Sequence, residues 1–225
     1  MQMVIQENLK LIKSTLPDHV TLVAVSKTKP ISDLMEAYHA GQRVFGENKI
    51  QEMVEKYALM PKDIEWHMIG HVQSNKVKYM ADFVSLIHGV DNLKLLKEIN
   101  KQALKHNRII KCLFQIKIAE EDSKFGMSTG EAKEILQSKE FSELKNVCIV
   151  GVMGMATFTD DHTQIKKEFK MLKSSFDELK QLETFNFNPK TISMGMSGDY
   201  QLAIDCGSTM IRVGSSIFGE RNYSI

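Results

Sequence analysis

Eight short apolar runs, most of them separated by helical patterns, constrain the fold of this 225-residue chain more than any other feature. Strands that alternate with helices build a parallel sheet, because each helix returns the chain to the edge where the next strand begins. Eight such units suit closure, so we predict an α/β fold with one (β/α)8 barrel, a TIM barrel, and take an open doubly wound sheet as the alternative. The predicted strands are 22–26, 43–45, 66–69, 83–87, 112–118, 149–153, 191–194 and 210–213.

The first sixteen residues add a helix to this pattern. Apolar residues recur from Ile5 to Leu16 at the spacing of one helix face, with charged residues elsewhere. After the eighth predicted strand and the glycine–serine turn that follows it, only residues 218–225 remain, and we expect the N-terminal helix to pack on the barrel where a full eighth helix is missing. No linker or repeat interrupts the chain, so residues 1–225 are predicted to form a single barrel domain.

Charge and cysteine content exclude several classes of partner. The chain has 29 Lys and Arg against 28 Asp and Glu, and this balance provides no field that would recruit nucleic acid or an anionic membrane. No apolar run is long enough to span a bilayer. The three cysteines are far apart and lie in or beside apolar segments, which favours a reducing compartment. We therefore predict a cytoplasmic protein that binds neither nucleic acid nor a membrane.

A lysine ends the first apolar run. On the alternation of a strand, Lys27 shares a face with Val23 and Val25, and branched residues of this kind fill the interior of a barrel. A lysine at that point faces the barrel mouth, where lost hydration and the nearby Lys29 disfavour its charged form. A neutral amine attacks aldehydes, so Lys27 is a candidate for a Schiff base, with an ordinary solvated lysine as the alternative.

Glycine and serine follow the last two predicted strands, where barrels often bind phosphate. Ser197 lies in a glycine-rich turn after the seventh strand, and Gly214 and Ser215 follow the eighth. Glycines let backbone N–H groups approach an anion, and serines add hydroxyl donors. The alternative is simple turn geometry, with Ser197 as a helix cap.

Two further polar residues lie at strand ends. Arg212 lies inside the apolar eighth strand and needs a partner, either an acidic side chain such as Asp205 or a ligand acceptor. Asn48 follows the second strand and either offers its amide to a ligand or caps the next helix. His67 and His71 have a spacing typical of metal ligands on a helix, but in a strand and loop they do not predict a metal site.

A lysine amine, a phosphate cradle and a buried arginine together suggest pyridoxal 5′-phosphate (PLP), an aldehyde that carries a phosphate. Motifs from the first strand to the last resemble those of the pyridoxal phosphate homeostasis proteins, and as a set they are specific. They are residues 24–30 (AVSKTKP), 45–48 (FGEN), 66–70 (WHMIG), 73–76 (QSNK), 193–199 (SMGMSGD) and 212–219 (RVGSSIFG).

That family is similar to the barrel domain of bacterial alanine racemases and to the fold-type III PLP proteins. The resemblance implies that Lys27 carries PLP as an internal aldimine. It also implies that Ser197 and the backbone of Gly214 and Ser215 bind the phosphate.

The same resemblance implies roles on the cofactor ring. Arg212 is expected to face the pyridine nitrogen, and Asn48 is expected to lie beside the ring. Lys124 falls in another stretch typical of the family, near the barrel mouth, without a defined role.

The expected chemistry favours a carrier over an enzyme. Guanidinium is always charged and only donates hydrogen bonds, so Arg212 disfavours a protonated ring nitrogen and weakens PLP as an electron sink. The racemases that the family resembles use a second domain and a partner-subunit tyrosine, for which we expect this chain to have no room. We therefore predict a monomeric PLP-binding protein of intracellular vitamin B6 and amino-acid homeostasis, without turnover of its own.

Its expected partners are PLP and apo forms of PLP-dependent enzymes as acceptors. A minimal PLP-dependent racemase or decarboxylase is the main alternative. A phosphosugar-type barrel enzyme that does not use PLP is the third.

Overall fold

The computed structural model of the protein describes residues 4–121, 125–182 and 184–220. In these residues eight parallel strands follow one another around a closed barrel, and β8 pairs with β1. The predicted TIM barrel is confirmed, and the open sheet is wrong. The strands are β1 (Thr21–Val25), β2 (Val44–Glu47), β3 (Glu65–Met68), β4 (Leu86–Val90), β5 (Ile110–Gln115), β6 (Val147–Met153), β7 (Phe187–Ser193) and β8 (Met210–Val213).

Helices cover the outside of the barrel. Ser128 caps one of them through a capping box with Glu131, as its sequence spacing indicates. The connection after β3 contains the 3₁₀ helix Ser74–Tyr79. The α-helices of the described residues are α1 (Val4–Thr15), α2 (Ile31–His39), α3 (Ile50–Leu59), α4 (Leu93–Lys105), α5 (Thr129–Gln137), α6 (Lys139–Ser142), α7 (His162–Lys180), α8 (Tyr200–Asp205) and α9 (Ser215–Phe218).

The predicted fourth strand is displaced by three residues. The backbone N–H groups of Phe83 and Val84 both bond the carbonyl of Met80, at 3.2 and 2.8 Å, so the apolar run begins in a turn. The strand then continues through His88 and a glycine, which are not typical strand residues. Hydrophobicity therefore locates β4 but misplaces its ends.

The barrel has an interior cluster and a larger outer core. Val23, Leu86, Leu113, Met153 and Met210 meet inside the barrel. Their neighbours along the strands face outward into the core that the helices cover. This alternation confirms the face predicted for the first strand. The next positions on the face of Val23 are Val25 and Lys27, which lie closer to the barrel mouth.

The N-terminal helix α1 packs on the barrel wall, as predicted. Leu9 and Ile12 are buried in the outer core, and the amide Nδ2 of Asn8 donates to the Ile217 carbonyl at 3.1 Å. Helix α1 thus contacts both α2 and α9, the elements that flank the junction of β1 and β8. It covers the gap that the short α9 leaves.

Cys112, Cys148 and Cys206 are free thiols, with burial raising the pKa of Cys112 most strongly. Among the described residues, none of the helices has the length and apolar character needed to cross a bilayer.

Candidate functional site

A cavity of about 570 Å³ opens at the carboxyl ends of the strands. All six residues that the sequence analysis assigns to cofactor binding line it. They come from four separate strand ends, those of β1, β2, β7 and β8, which barrel closure brings to one face. The six residues are Lys27, Asn48, Ser197, Arg212, Gly214 and Ser215.

Lys27 reaches the cavity by the alternation of β1. Val23 lies in the barrel interior, and Val25 and Lys27 line the cavity above it. The next residue, Thr28, has a φ of 63°, in the left-handed region that costs a non-glycine residue about 1–2 kcal/mol. The backbone around Lys27 therefore needs support from its surroundings.

A buried ion cluster supplies that support from behind the strand. The Lys56 ammonium donates to the carbonyl of Ser26 at 2.7 Å and to carboxylate oxygens of Glu47 at 2.8 Å and Glu52 at 2.7 Å. The Thr28 N–H donates to the same Glu52 oxygen at 2.6 Å. Both residues that flank the candidate lysine are thus fixed by one lysine and two carboxylates.

Glu47 is the most buried member of this cluster. Its Oε1 also accepts a hydrogen bond from the Ser26 hydroxyl at 2.6 Å, whereas its Oε2 has no hydrogen-bond partner among the described residues. Burial raises the pKa of the Glu47 carboxyl, and the Lys56 ammonium opposes that rise. The ion pair therefore holds a charge that the interior would otherwise disfavour.

The turns after β7 and β8 meet at Ser197. Its hydroxyl oxygen accepts hydrogen bonds from the backbone N–H groups of Gly214 at 3.2 Å and Ser216 at 3.5 Å. Helix α8 begins after Asp199, so Ser197 is not its cap. The turn requires Gly195, which has a φ of +97° and whose added Cβ would lie 2.7 Å from the Ala203 Cβ. Backbone donors and a hydroxyl converge here, as an anion requires.

Arg212 is almost fully buried beneath this turn. Its guanidinium donates to the Ser193 hydroxyl at 2.6 Å and to the Gly154 carbonyl at 3.1 Å. Burial lowers the pKa of Arg212 to about 10, and the Asp199 carboxylate opposes the shift. The suggested partner Asp205 is wrong: within the described part of the chain, the guanidinium bonds the Ser193 hydroxyl and the Gly154 carbonyl, and Asp199 is the acidic group whose charge acts on its pKa.

Asn48 lines the cavity on the side of β2. Helix α3 begins after Lys49, so Asn48 is not its N-cap. Gly70 packs directly against it, since an added Cβ would lie 2.3 Å from the Asn48 carbonyl oxygen. The close contact with Gly70 thus fixes the position of the Asn48 backbone, and the Asn48 side-chain amide remains at the cavity wall.

The two histidines of the third strand region do not meet. His67 lies inside the barrel, whereas His71 lines the cavity mouth and stacks on Phe125 with 4.6 Å between ring centroids. Among the described residues, no group of His, Cys, Asp or Glu side chains is arranged to hold a metal ion.

Sequence reasoning missed most of the segment that runs from the end of β6 to the first residue of α7. Thr157, Asp160 and His162 line the cavity, and Phe158 stands 94% exposed at its rim. Their position after a strand end was the available signal, but no residue type there indicated a specific chemistry. Lys124 lies outside the described residues.

Comparison with known proteins places the chain in a family. The family model of the alanine racemase N-terminal domain matches residues 3–222. The pyridoxal phosphate homeostasis protein of Pasteurella multocida is 41% identical over 208 residues, covering 91% of this chain and 88% of the relative. That of Haemophilus influenzae is 38% identical and covers 98% of this chain and 97% of the relative.

Solved structures agree with this placement. PipY of Synechococcus elongatus, solved without PLP, superposes with a TM-score of 0.89 at 35% identity, covering 96% of this chain and all of PipY. PipY with PLP bound has a TM-score of 0.87 at 34% identity and the same 96% coverage. An Enterococcus faecalis alanine racemase, 16% identical with a TM-score of 0.78, shares the fold, and the chain covers 59% of it. This chain belongs to the pyridoxal phosphate homeostasis protein family, within the group that has the alanine racemase N-terminal domain.

Proposed function

We propose that the protein binds pyridoxal 5′-phosphate in the cavity at the barrel mouth and serves cellular PLP homeostasis. The observation that carries this proposal is the convergence of a lysine, a buried arginine and a hydroxyl–amide cradle on one cavity. The relatives are named for the same role, and PipY, at 34% identity, has been solved with PLP bound.

Each cavity residue suits one part of that ligand. Lys27 would supply a primary amine, the group with which an aldehyde can condense with loss of water. Ser197, with the N–H groups of Gly214 and Ser215, is assigned to the phosphate, whose charge favours convergent donors. Phosphate and aldehyde, which stand on adjacent carbons of the PLP ring, would thereby each have a separate partner in the cavity.

The ring has its own candidate contacts. Arg212 is assigned to the ring nitrogen, and because guanidinium only donates, it favours a nitrogen without a proton. Asn48 is assigned to the ring side, where its amide can both donate and accept. A ring nitrogen without a proton withdraws electrons less, which suits storage of PLP better than its use in catalysis.

We place this function in the cytoplasm, where free thiols such as the three cysteines persist. In this proposal the protein acts as a monomer that holds reactive PLP and passes it to apo forms of PLP-dependent enzymes. A minimal racemase or decarboxylase activity is the competing proposal.

A Ser197→Ala variant tests the phosphate assignment. Loss of a hydrogen bond to a charged group costs about 1.5–3 kcal/mol, so PLP affinity is expected to fall roughly 10- to 100-fold. Affinity for pyridoxal, which lacks the phosphate, should change little, and Ser142→Ala on the exposed surface of α6 should leave PLP affinity unchanged. An equal loss for PLP and pyridoxal would remove Ser197 from the phosphate site.

Exchange of amino-acid α-protons separates carrier from enzyme. Wild-type protein loaded with PLP is incubated with alanine and other amino acids in heavy water, and deuterium incorporation is followed by proton NMR. The carrier proposal expects no more exchange than free PLP gives at the same concentration. Sustained exchange that disappears in Lys27→Ala would favour the racemase or decarboxylase.

A further inference from the structure

A continuous chain of buried polar side chains crosses the barrel interior below the cavity. The ring nitrogens His67 Nδ1 and His88 Nε2 lie 3.1 Å apart, and His88 Nδ1 lies 3.1 Å from the Ser193 hydroxyl. Ser193 in turn accepts the 2.6 Å hydrogen bond from Arg212. These four residues come from β3, β4, β7 and β8, and each is at most 4% exposed.

The direction of every hydrogen bond in this chain follows from its arginine end. Guanidinium has donors only, so the Ser193 oxygen accepts from Arg212. Since the described residues offer the Ser193 proton no other acceptor, that proton is directed to His88 Nδ1. A His88 ring that accepts at Nδ1 carries its proton at Nε2 and donates it to Nδ1 of His67. His67 then also carries its proton at Nε2.

Both rings must be neutral for this arrangement. An imidazolium has a proton on each nitrogen, so protonation of His67 at Nδ1 would oppose the His88 donor, and protonation of His88 at Nδ1 would oppose Ser193. Burial lowers the pKa of His67 to about 3 and that of His88 well below its ordinary value. Arg212, His67 and, on the outside, Lys111 are the charged or titratable groups that shift these pKa values, and all act in the same direction.

In each hydrogen bond of this chain, the accepting lone pair points toward the Arg212 end and the proton points away from it. Hydrogen bonds aligned in one direction polarise one another, so the chain favours a positive charge at its Arg212 end. It also fixes the guanidinium plane, because Ser193 and the Gly154 carbonyl bind two of its nitrogens. Arg212 is left with a single orientation toward the cavity.

We propose that His88, which accepts from Ser193 and donates to His67, is the positioning residue that keeps Arg212 aimed at the ligand ring. This inference rests on the proposed function for the identity of the ligand. It assigns to the site a preference for a ring atom that accepts a hydrogen bond. His67, His88 and Ser193 thereby influence which ligand the site prefers, although none of them contacts the ligand.

Nitrogen-15 NMR of the histidine rings tests the arrangement in protein free of PLP. His67 and His88 are expected to give neutral Nε2–H tautomer signals between pH 5 and 8, whereas Ser193→Ala should disturb the His88 tautomer. A wild-type His88 with its proton at Nδ1, or an imidazolium in this range, would overturn the proposal. This readout stands whether or not the protein binds PLP.

Ligand binding tests the consequence at Arg212. His88→Leu, which removes both ring nitrogens, is expected to weaken PLP binding about tenfold. His88→Gln, which keeps one acceptor and one donor, should recover most of that loss. A PLP analogue with carbon in place of the ring nitrogen should bind wild type and His88→Leu alike. Equal weakening of PLP and the analogue would overturn the proposed route through Arg212. Absence of any PLP binding by wild type would instead contradict the proposed function.

Discussion

Replacing Lys56 by methionine is expected to lower the free energy of unfolding by about 3–5 kcal/mol. The Lys56 side chain is 7% exposed and pairs with Glu47, whose side chain is fully buried. Methionine keeps the length and apolar stem but leaves the Glu47 carboxylate without its counter-charge in the interior. Urea denaturation followed by circular dichroism measures the loss.

An exposed ion pair provides the matched control. Lys167 and Glu120 are 3.1 Å apart with side chains 68% and 63% exposed, so Lys167→Met should cost no more than about 1 kcal/mol. A double variant of Lys56→Met and Glu47→Gln should recover part of the lost stability, because the uncompensated charge is then gone. If Lys56→Met were as mild as Lys167→Met, the cluster would not hold the backbone around Lys27 as the structure indicates.

Acidification from pH 6.5 to 5.0 is expected to cost roughly 3 kcal/mol of stability through His67 and His88 together. Both rings have a lowered pKa in the fold, His67 at about 3, so they stay neutral there and take up protons only on unfolding. Their contribution is therefore complete above the unfolded pKa of about 6.5 and is lost progressively as the pH falls below it. Urea unfolding at a series of pH values measures the slope.

Substitution of single histidines shows which of them causes the dependence of stability on pH. His88→Gln removes one of the two titrating rings and should roughly halve the loss of stability between pH 6.5 and 5.0. His106→Gln changes an exposed histidine after α4 and should leave the loss as it is in wild type. A wild-type protein whose stability is flat over this interval would contradict two neutral buried histidines.

The barrel and the members of the candidate site could be predicted because both depend on local pattern. Alternation in β1 was enough to put Lys27 at the barrel mouth, and an arginine inside an apolar strand stood out at Arg212. Strand ends in a parallel barrel share one face, so residues distant in sequence could be assigned to one cavity.

The supporting contacts could not be predicted in the same way. Lys56 reads as a solvated lysine on an amphipathic helix, because only the packing of α3 on β1 and β2 buries it. In the barrel interior His88 contacts Ser193, which is 105 residues away in the sequence, and His67, which is 21 residues away. Closure of the barrel determines such partners. Sequence periodicity predicts that the barrel closes, but it does not predict the register of the strands and therefore does not predict which side chains meet.

The attachment of PLP to Lys27 is the point on which the proposed function depends most. The protein is incubated with PLP, freed of excess ligand, examined by absorbance, reduced with borohydride and digested for peptide mapping. We expect a visible band from lysine-bound PLP and, after reduction, one modified peptide with the adduct on Lys27. Absence of a band, or an adduct on another lysine that persists in Lys27→Ala, would contradict the assignment of Lys27 and the carrier function built on it.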